Sequence, residues 1–342
     1  LAITNSRVDG LEARLNNFEA GSFSETTTAS FSADFYLGGV DGGTTATNDP
    51  FMATYGFQID LNTSFTGEDS LDISLDAGNT STTTTSVAEF DGNATGDNLV
   101  VDGVMYTFPI GTATAFVGDN TDGSALFTTA CTYGGPTNTL DDCGNVNAGI
   151  STGGVAAGAS YDFGNGFTAA VGYQAQDGDE ATGIMTEETL DAYALNGAYT
   201  GDNYGLSATY GVIESTAGDP AALDDNEDSY LALNAYYTPE TAGFPSISFG
   251  YEVGDDGSVT TSADSLTSIF FGFSWDEIGP GSGGCGGVLH ASAASRLRTQ
   301  DQGLAAGQET GRCALLNLLV DATAATASLM SGRLGTMIDT HA

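Results

Sequence analysis

The sequence predicts an all-β protein, a transmembrane antiparallel β-barrel. Three observations lead to this prediction: runs of strict apolar–polar alternation, short connections that alternate with long ones, and aromatic residues that gather beside the short connections. Alternation with period two is typical of a β-strand whose two faces meet different surroundings. In a membrane barrel the outer face meets lipid and the inner face meets water.

The clearest alternation lies in residues 153–176, where two alternating runs flank Gly164-Asn165-Gly166. This turn sequence predicts a β-hairpin. One face is apolar and ends in aromatic side chains at the turn, while the other is small and polar. A soluble sandwich could also produce the alternation, but the aromatic cluster favours an outer face in contact with lipid. The outward residues are Val155, Ala157, Ala159, Tyr161, Phe163, Phe167, Ala169, Val171 and Tyr173.

The same pattern along the chain predicts twelve strands. The phase of the fourth slips near Gly103, which indicates a β-bulge, and the phase of the fifth is ambiguous. The predicted strands run Phe31–Leu37, Tyr55–Leu61, Leu71–Leu75, Asn98–Phe108, Thr112–Gly118, Val155–Phe163, Phe167–Tyr173, Tyr193–Tyr199, Tyr204–Tyr210, Leu231–Tyr237, Ile247–Val253 and Ile269–Trp275.

The connections between these strands are sorted by length. Short turns follow the even-numbered strands up to the tenth, and long loops rich in Gly, Asn, Thr and acidic residues follow the odd-numbered ones. Short connections at one rim and long ones at the other are typical of a membrane barrel, whereas a soluble sandwich has no reason to sort its loops. Aromatic residues beside the short turns predict an interfacial girdle. They are Tyr106, Phe108, Tyr161, Phe163, Phe167, Tyr199, Tyr204 and Tyr237.

Residues 1–20 carry apolar side chains at heptad a and d positions and predict the end of a coiled-coil stalk. The alternative is a single amphipathic helix packed on the barrel. The barrel itself is predicted over residues 24–275. The chain begins at Leu1 without an initiator Met or a signal peptide, so either the signal was removed or the chain is a fragment. We favour a fragment, because the first residues join a pattern that is already in progress.

The composition changes at about Asp276. Up to Trp275 there are 39 acidic residues and two arginines, whereas residues 276–342 hold four arginines, both histidines and no Phe, Trp or Tyr. Residues 313–338 are rich in Ala and Leu and predict a helix. A genuine helical extension would explain this atypical tail. We favour a frameshifted or foreign terminus, because an intact barrel is expected to close with an aromatic-rich strand.

The charge balance excludes several classes of protein. The chain of 342 residues has no lysine and a net charge of −39, so nothing in it could neutralise nucleic-acid phosphates. With no histidine before His290, a Ser/His/Asp or Cys/His site within the barrel is excluded, and we expect neither an enzyme nor a bound cofactor or metal.

Acidic side chains recur on the predicted inner face of the first three strands. Asp34, Asp60, Asp72 and Asp76 lie at inward positions together with Gln58. Carboxylates around a water-filled lumen concentrate cations and disfavour anions. We therefore predict these five residues as pore-lining, with a weak preference for cations. The alternative is that they only solvate the inner wall.

The long loop of residues 120–150 contains Cys131 and Cys143. Their spacing predicts a disulfide, which would stabilise the loop by roughly 2–4 kcal/mol. This is the third long loop counted from the N-terminus, and we expect it to fold inward and narrow the lumen. The alternative is a rigid loop on the outer surface.

Two segments resemble a known family. Residues 7–39, RVDGLEARLNNFEAGSFSETTTASFSADFYLGG, are similar to the junction between stalk and barrel in cyanobacterial porins of the carbohydrate-selective porin (OprB) family, in the iron uptake porin branch. Residues 268–282, SIFFGFSWDEIGPGS, also resemble that branch. The resemblance covers about residues 1–282. It implies a homotrimer of barrels with roughly sixteen strands, and an upstream signal peptide and cell-wall-binding domain that this sequence lacks.

These observations favour an outer-membrane porin that lets small hydrophilic solutes, either carbohydrates or inorganic ions, diffuse passively. Outer-membrane lipid and further copies of the chain are the expected partners, and the cell wall would be reached only through the missing upstream domain. The alternative is a non-conducting structural or adhesive protein of the cell surface, whose stalk and acidic loops provide the function.

Overall fold

The computed structural model describes residues 27–38, 52–79, 93–133, 143–145, 147–151, 153–181, 183–186, 189–214, 227–241, 243–255, 265–278, 281–292, 309–317 and 336–338. Within these ranges the chain forms one sheet of fifteen strands, each paired with its neighbours in chain order. The strands are Thr27–Gly38 (β1), Met52–Thr63 (β2), Ser70–Gly78 (β3), Val100–Ile110 (β4), Ala113–Asp119 (β5), Val155–Gly164 (β6), Phe167–Ala175 (β7), Asp191–Thr200 (β8), Tyr204–Glu214 (β9), Glu227–Tyr237 (β10), Ser246–Asp255 (β11), Ser265–Ile278 (β12), Gly281–Ser292 (β13), Glu309–Asn317 (β14) and Thr336–Ile338 (β15).

Every pairing is antiparallel, which is the up-and-down arrangement of a membrane barrel. The twelve strands expected from the alternation are β1–β12, and the predicted fold class is confirmed. The sheet curls until Cα atoms of β1 and β15 lie within 8 Å of each other. In the described part of the chain no hydrogen-bonded ladder joins these two strands. No helix of the described ranges is long and apolar enough to cross a membrane.

The two faces of the sheet differ as the sequence predicts. Directly paired residues project from the same face, so the register identifies the residues that share it. One face carries exposed apolar side chains on successive strands, a surface that a water-soluble monomer rarely tolerates and that suits lipid. Its exposed members include Phe31, Val117, Val171, Leu195, Leu206, Leu233, Phe249 and Phe271.

Aromatic rings line the rim with the short turns. Tyr161 and Phe163 pack at 4.7 Å between ring centroids, and Phe167 packs on Tyr199 at the same distance. Tyr199 also packs on Tyr204 at 5.6 Å, so the contacts run from one hairpin to the next. This arrangement fits the predicted interfacial girdle.

The bulge near Gly103 is present. Ser74 pairs with Gly103 while Leu75 pairs with Val101, so Asp102 is the extra residue of β4. A bulge changes the direction of the residue it inserts. The ambiguous phase of β5 is resolved: Val117 faces outward, and Phe116 lies buried on the inner face opposite Gly158.

The prediction of a helix over residues 313–338 is wrong where this segment is described. Residues 313–317 belong to β14 and residues 336–338 to β15. The edge of β13 explains the difference for β14, because backbone N–H and C=O groups at membrane depth need partners, and a further strand supplies them whatever the helix propensity of Ala and Leu. The predicted coiled coil of residues 1–20 lies outside the described residues.

The turn between β2 and β3 is organised by one carboxylate. Asp69 Oδ1 accepts hydrogen bonds from the backbone N–H groups of Phe65 (2.9 Å) and Thr66 (2.8 Å) and from the Ser64 hydroxyl (2.9 Å). Asp69 Oδ2 accepts one from the Tyr106 hydroxyl at 2.7 Å. The Tyr106 bond first, and then the backbone of Thr66, hold the pKa of Asp69 well below its usual range.

Asp69→Ala is expected to lower the midpoint of urea unfolding, because four donors lose their acceptor. The lowered pKa of Asp69 sets the pH dependence. Its contribution to stability is complete above about pH 4 and is lost as the pH falls through the lower folded-state pKa. The difference in urea midpoint between wild type and variant should therefore decrease below pH 4. Glu68→Ala removes the same charge from an exposed neighbour and serves as control; equal midpoints for the two variants would contradict this role.

Candidate functional site

The described residues of the loop between β5 and β6, which are 120–133, 143–145, 147–151, 153 and 154, lie against the inner face of the sheet; we call them the inner loop. Its two ends meet where the Thr121 N–H donates to the Gly154 carbonyl at 3.3 Å. Between these ends it crosses the wall formed by β7–β12. The alternative of a loop on the outer surface is therefore wrong for the described part of this segment.

The outgoing arm of the inner loop, residues 127–133, is extended and crosses the strands. The backbone N–H of Thr128 donates to Asn196 Oδ1 of β8 at 3.0 Å, and that of Ala130 donates to Ser207 Oγ of β9 at 2.9 Å. The N–H of Thr132 donates to Ser248 Oγ of β11 at 3.0 Å. Every second backbone donor thus meets a polar side chain on another strand, which satisfies groups that would otherwise be buried without partners.

The returning arm, residues 143–151, is held by amide and carboxylate side chains. The Cys143 carbonyl accepts from Asn234 Nδ2 of β10 at 2.9 Å. Glu252 of β11 is only 3% exposed, and its Oε2 accepts from the backbone N–H groups of Asn147 and Ala148, both at 2.9 Å. Its Oε1 accepts from Asn147 Nδ2 at 2.9 Å. Three hydrogen bonds of this arm thus end on Glu252, compared with one on Asn234.

Glycines on the inner face give the loop backbone room to approach. A Cβ added at Gly172 of β7 would overlap the carbonyl oxygen of Gly123, and one at Gly250 of β11 would overlap that of Cys143. At Gly211 of β9 an added Cβ would lie 2.9 Å from the carbonyl oxygen of Ala148. The absence of these side chains lets the loop lie directly on the wall.

Apolar contacts also hold the returning arm against the wall. Ala148 and Ile150 are fully buried and pack in a cluster on the inner wall, whose other members are Ala192, Ala194, Ile213, Tyr230 and Ala232. At the far end of the outgoing arm, Tyr133 meets Phe270 of β12 edge to face, with ring centroids 5.5 Å apart. The loop therefore extends from β7 to β12.

Cys131 and Cys143 lie on opposite arms of the inner loop. Their Cα atoms are 6.3 Å apart, a separation that a disulfide spans. A bond here would tie the outgoing arm to the returning arm at the point where both reach β10–β12. The structure thus brings the two cysteines of the predicted disulfide together.

The predicted pore-lining residues all lie on the inner face. Gln58 pairs with Asp76, and Asp60 pairs with Ser74. Asp72 pairs with Met105, and the same face continues across β5 and β6 to Gln174, which holds the inner loop. Asp34 pairs with Gly56 of this face. That these residues line a conducting lumen stays a prediction.

The acidic side chains of this wall are partly linked by hydrogen bonds. Asp60 Oδ1 accepts from Gln58 Nε2 at 2.8 Å and from Ser74 Oγ at 2.9 Å, while Asp72 Oδ2 accepts from Ser70 Oγ at 2.7 Å. These contacts hold both carboxylates in place on the inner wall.

Two further carboxylates on this wall were not predicted from the sequence. Asp102 is the bulge residue of β4, and Asp122 lies at the start of the inner loop. Both line one cavity of about 890 Å³ together with Asp72 and Asp76. Burial raises the pKa of the Asp122 carboxyl, a hydrogen bond from Gly153 opposes the rise, and the Asp102 carboxylate adds to it. The only sequence signal for Asp102 was the phase slip in β4.

Strands β1–β12 and the inner loop have no positive side chain to balance these carboxylates, because residues 27–278 contain no Lys, Arg or His. Within the described ranges no group of three or more His, Cys, Asp or Glu is placed to hold a metal ion. The inner wall thus has two parts: β7–β12 are covered by the inner loop, and β1–β4 present carboxylates to the remaining space.

Comparison with known proteins shows the fold. No protein-family model and no curated protein sequence matches the chain. Among solved structures it is similar to OprB of Pseudomonas putida, with 10% identity over 81% of this chain and 77% of that one and a TM-score of 0.53. The anion-selective porin of Comamonas acidovorans (14% identity, 91% and 95% coverage) and the outer-membrane channel DcaP of Acinetobacter baumannii (12% identity, 85% and 95% coverage) each give a TM-score of 0.45. The first likeness shows that this chain has the fold of an outer-membrane porin.

Gly250→Ala is expected to detach the returning arm, because the new methyl group would occupy the position of the Cys143 carbonyl. Hydrogen–deuterium exchange of the refolded barrel should then accelerate in peptides that cover residues 143–150. Gly197→Ala adds the same group where nothing lies within 4 Å, and it should leave that exchange unchanged. Slow exchange in both variants would contradict the contact between the returning arm and the wall at Gly250.

The Cys131–Cys143 disulfide is expected to form in the refolded chain. Mass spectrometry of loop peptides after alkylation should find both cysteines blocked only when a reductant is added first. Cys131→Ser/Cys143→Ser should lower stability by roughly 2–4 kcal/mol, since the loop loses its covalent closure. Free thiols at both positions without reductant would refute the bond.

Proposed function

We propose that the chain forms a water-filled channel in an outer membrane, through which small hydrophilic solutes diffuse passively and cations are preferred. The porin fold supports the channel, and the apolar outer face with its aromatic rim supports contact with outer-membrane lipid. Passive diffusion needs neither a cofactor nor a catalytic residue, and we propose none.

The observation that carries this proposal is the division of the inner wall. The inner loop narrows the lumen from the side of β7–β12, so a passing solute is brought close to the opposite wall. That wall presents Asp60, Asp72, Asp76 and Asp102. Because residues 27–278 contain no basic side chain, β1–β12 and the inner loop contribute a negative field to the passage, which raises the local concentration of cations.

The solutes that fit best are hydrated inorganic cations and uncharged sugars. The resemblance to the carbohydrate-selective porins, and to their iron uptake branch, supports both classes. The uncompensated carboxylates favour the cations. We also propose a homotrimer, which rests on the resemblance alone, and attachment to the cell wall through a domain upstream of this sequence.

Planar-bilayer recording tests the channel directly. Under a KCl gradient, the zero-current potential should have the sign of K⁺ preference. Asp72→Asn/Asp76→Asn should lower the permeability ratio of K⁺ to Cl⁻ by at least about twofold, because two lumenal charges are lost.

The matched control is Glu68→Gln/Asp202→Asn, which removes two exposed charges beside short turns and should keep the wild-type ratio. Anion preference in the wild type would refute the cation preference. A chain that inserts into bilayers but never conducts would favour the alternative, a structural or adhesive surface protein.

A further inference from the structure

The acidic cavity beside the inner loop has the features of a binding site. It lies between the long-loop ends of β3 and β4 and the two ends of the inner loop, with a volume of about 890 Å³. Its lining includes Asp72, Asp76 and Asp102 from the wall, and Asp122 and Ser151 from the inner loop. A solute that approaches the constriction from the long-loop side would pass it.

Asp76 points to a ligand independently of the clustered charge. Its side chain is 8% exposed and lines the cavity, and its Oδ1 atom is buried without a hydrogen-bond partner among the described residues. Asp60, on the same face, differs because Gln58 and Ser74 both donate to it. A buried carboxylate oxygen without a donor is costly, so a positive charge bound in the cavity beside Asp76 would be stabilising.

The bulge in β4 adds a second carboxylate to the same space. Because Asp102 is the inserted residue, it joins the cavity from a strand that would otherwise present Gly103 there. Asp102 interacts electrostatically with Asp76, Asp60 and Asp122. The cavity therefore concentrates negative charge from two strands and the loop.

The size and the chemistry of the lining decide which cation fits. The carboxylates are spread around a space far larger than one dehydrated ion, and the described residues hold no group of three metal-ligating side chains. Val100 and Met105, which pair with Asp76 and Asp72 on the inner face, supply apolar surface between the charges. Separated carboxylates with an aliphatic surface between them match an ammonium group on a hydrocarbon chain.

We propose that this cavity is a binding subsite for small aliphatic ammonium compounds, with Asp76 as the principal acceptor. One ammonium pairs with the Asp76 carboxylate, a second ammonium reaches Asp102 or Asp122, and the methylene chain lies on Val100 and Met105. The proposal rests on the proposed channel function and names a class of solute that the channel would bind as well as conduct.

Single-channel recording in KCl with added 1,5-diaminopentane tests the subsite. The diamine should block the wild-type current, whereas 1,5-pentanediol, which has the same chain without charge, should not. Asp76→Asn should raise the blocking concentration by about tenfold or more, the effect of one lost charged contact. Asp60→Asn removes the same lumenal charge outside the cavity lining and should change it less than about threefold.

The outcomes separate the two proposals. Cation-preferring current without diamine block, or equal effects of Asp76→Asn and Asp60→Asn, would overturn the subsite and leave the channel intact. Block by Ca²⁺ that is stronger than block by the diamine and depends on Asp76 would also overturn it, in favour of a metal ion. Absence of any conductance would instead refute the channel itself.

Discussion

The arrangement of this molecule depends on pairing the backbone of the inner loop with side chains of the barrel wall. A segment that lies against the inner wall buries part of its N–H and C=O groups, and each buried group without a partner costs free energy. Here Asn196, Ser207 and Ser248 meet successive donors of the outgoing arm, and Glu252 meets two donors of the returning arm. Because these partners sit on different strands, the loop can satisfy them together in only one position. Its path across the lumen follows from that requirement.

The same requirement explains why the two parts of the wall differ in composition. Where the loop covers the wall, most inward residues are small, apolar or neutral polar, since a covered carboxylate would be desolvated. Glu252 is an exception, and it has three hydrogen-bond donors to compensate. Where the wall stays open, Asp60 and Asp72 are tolerated because water reaches that surface. Solvent access thus explains both where the carboxylates of the passage lie and which part of the wall the loop covers.

The sequence was sufficient for the strands, their faces and the bulge, because period-two alternation is a local property. It was insufficient to show that Phe116 points inward, since the apolar residues of β5 occur on both faces. Only the pairing of Phe116 with Gly158 identifies the inner face of this strand. The wall residues that hold the loop were also missed: an inward Asn or Ser is common in any water-filled barrel, and its partner lies 68 to 116 residues away. In the tail, the need to pair the edge of β13 outweighed local helix propensity over residues 313–317.

Apart from Glu252 and Asp122, different residues set the shape and the charge of the proposed passage, so the two can be altered independently. Gly172, Gly211 and Gly250, with the link between Cys131 and Cys143, fix how far the loop stands from the wall. None of these residues carries a charge. Asp72, Asp76 and Asp102 stand on the opposite wall and contribute no anchor to the loop in the described contacts. Because residues 27–278 contain no basic side chain, no internal ion pair couples one set to the other. Substitutions that change the width of the passage should therefore leave the sign of the ion preference unchanged. Neutralising the carboxylates should leave the inner loop in contact with the wall.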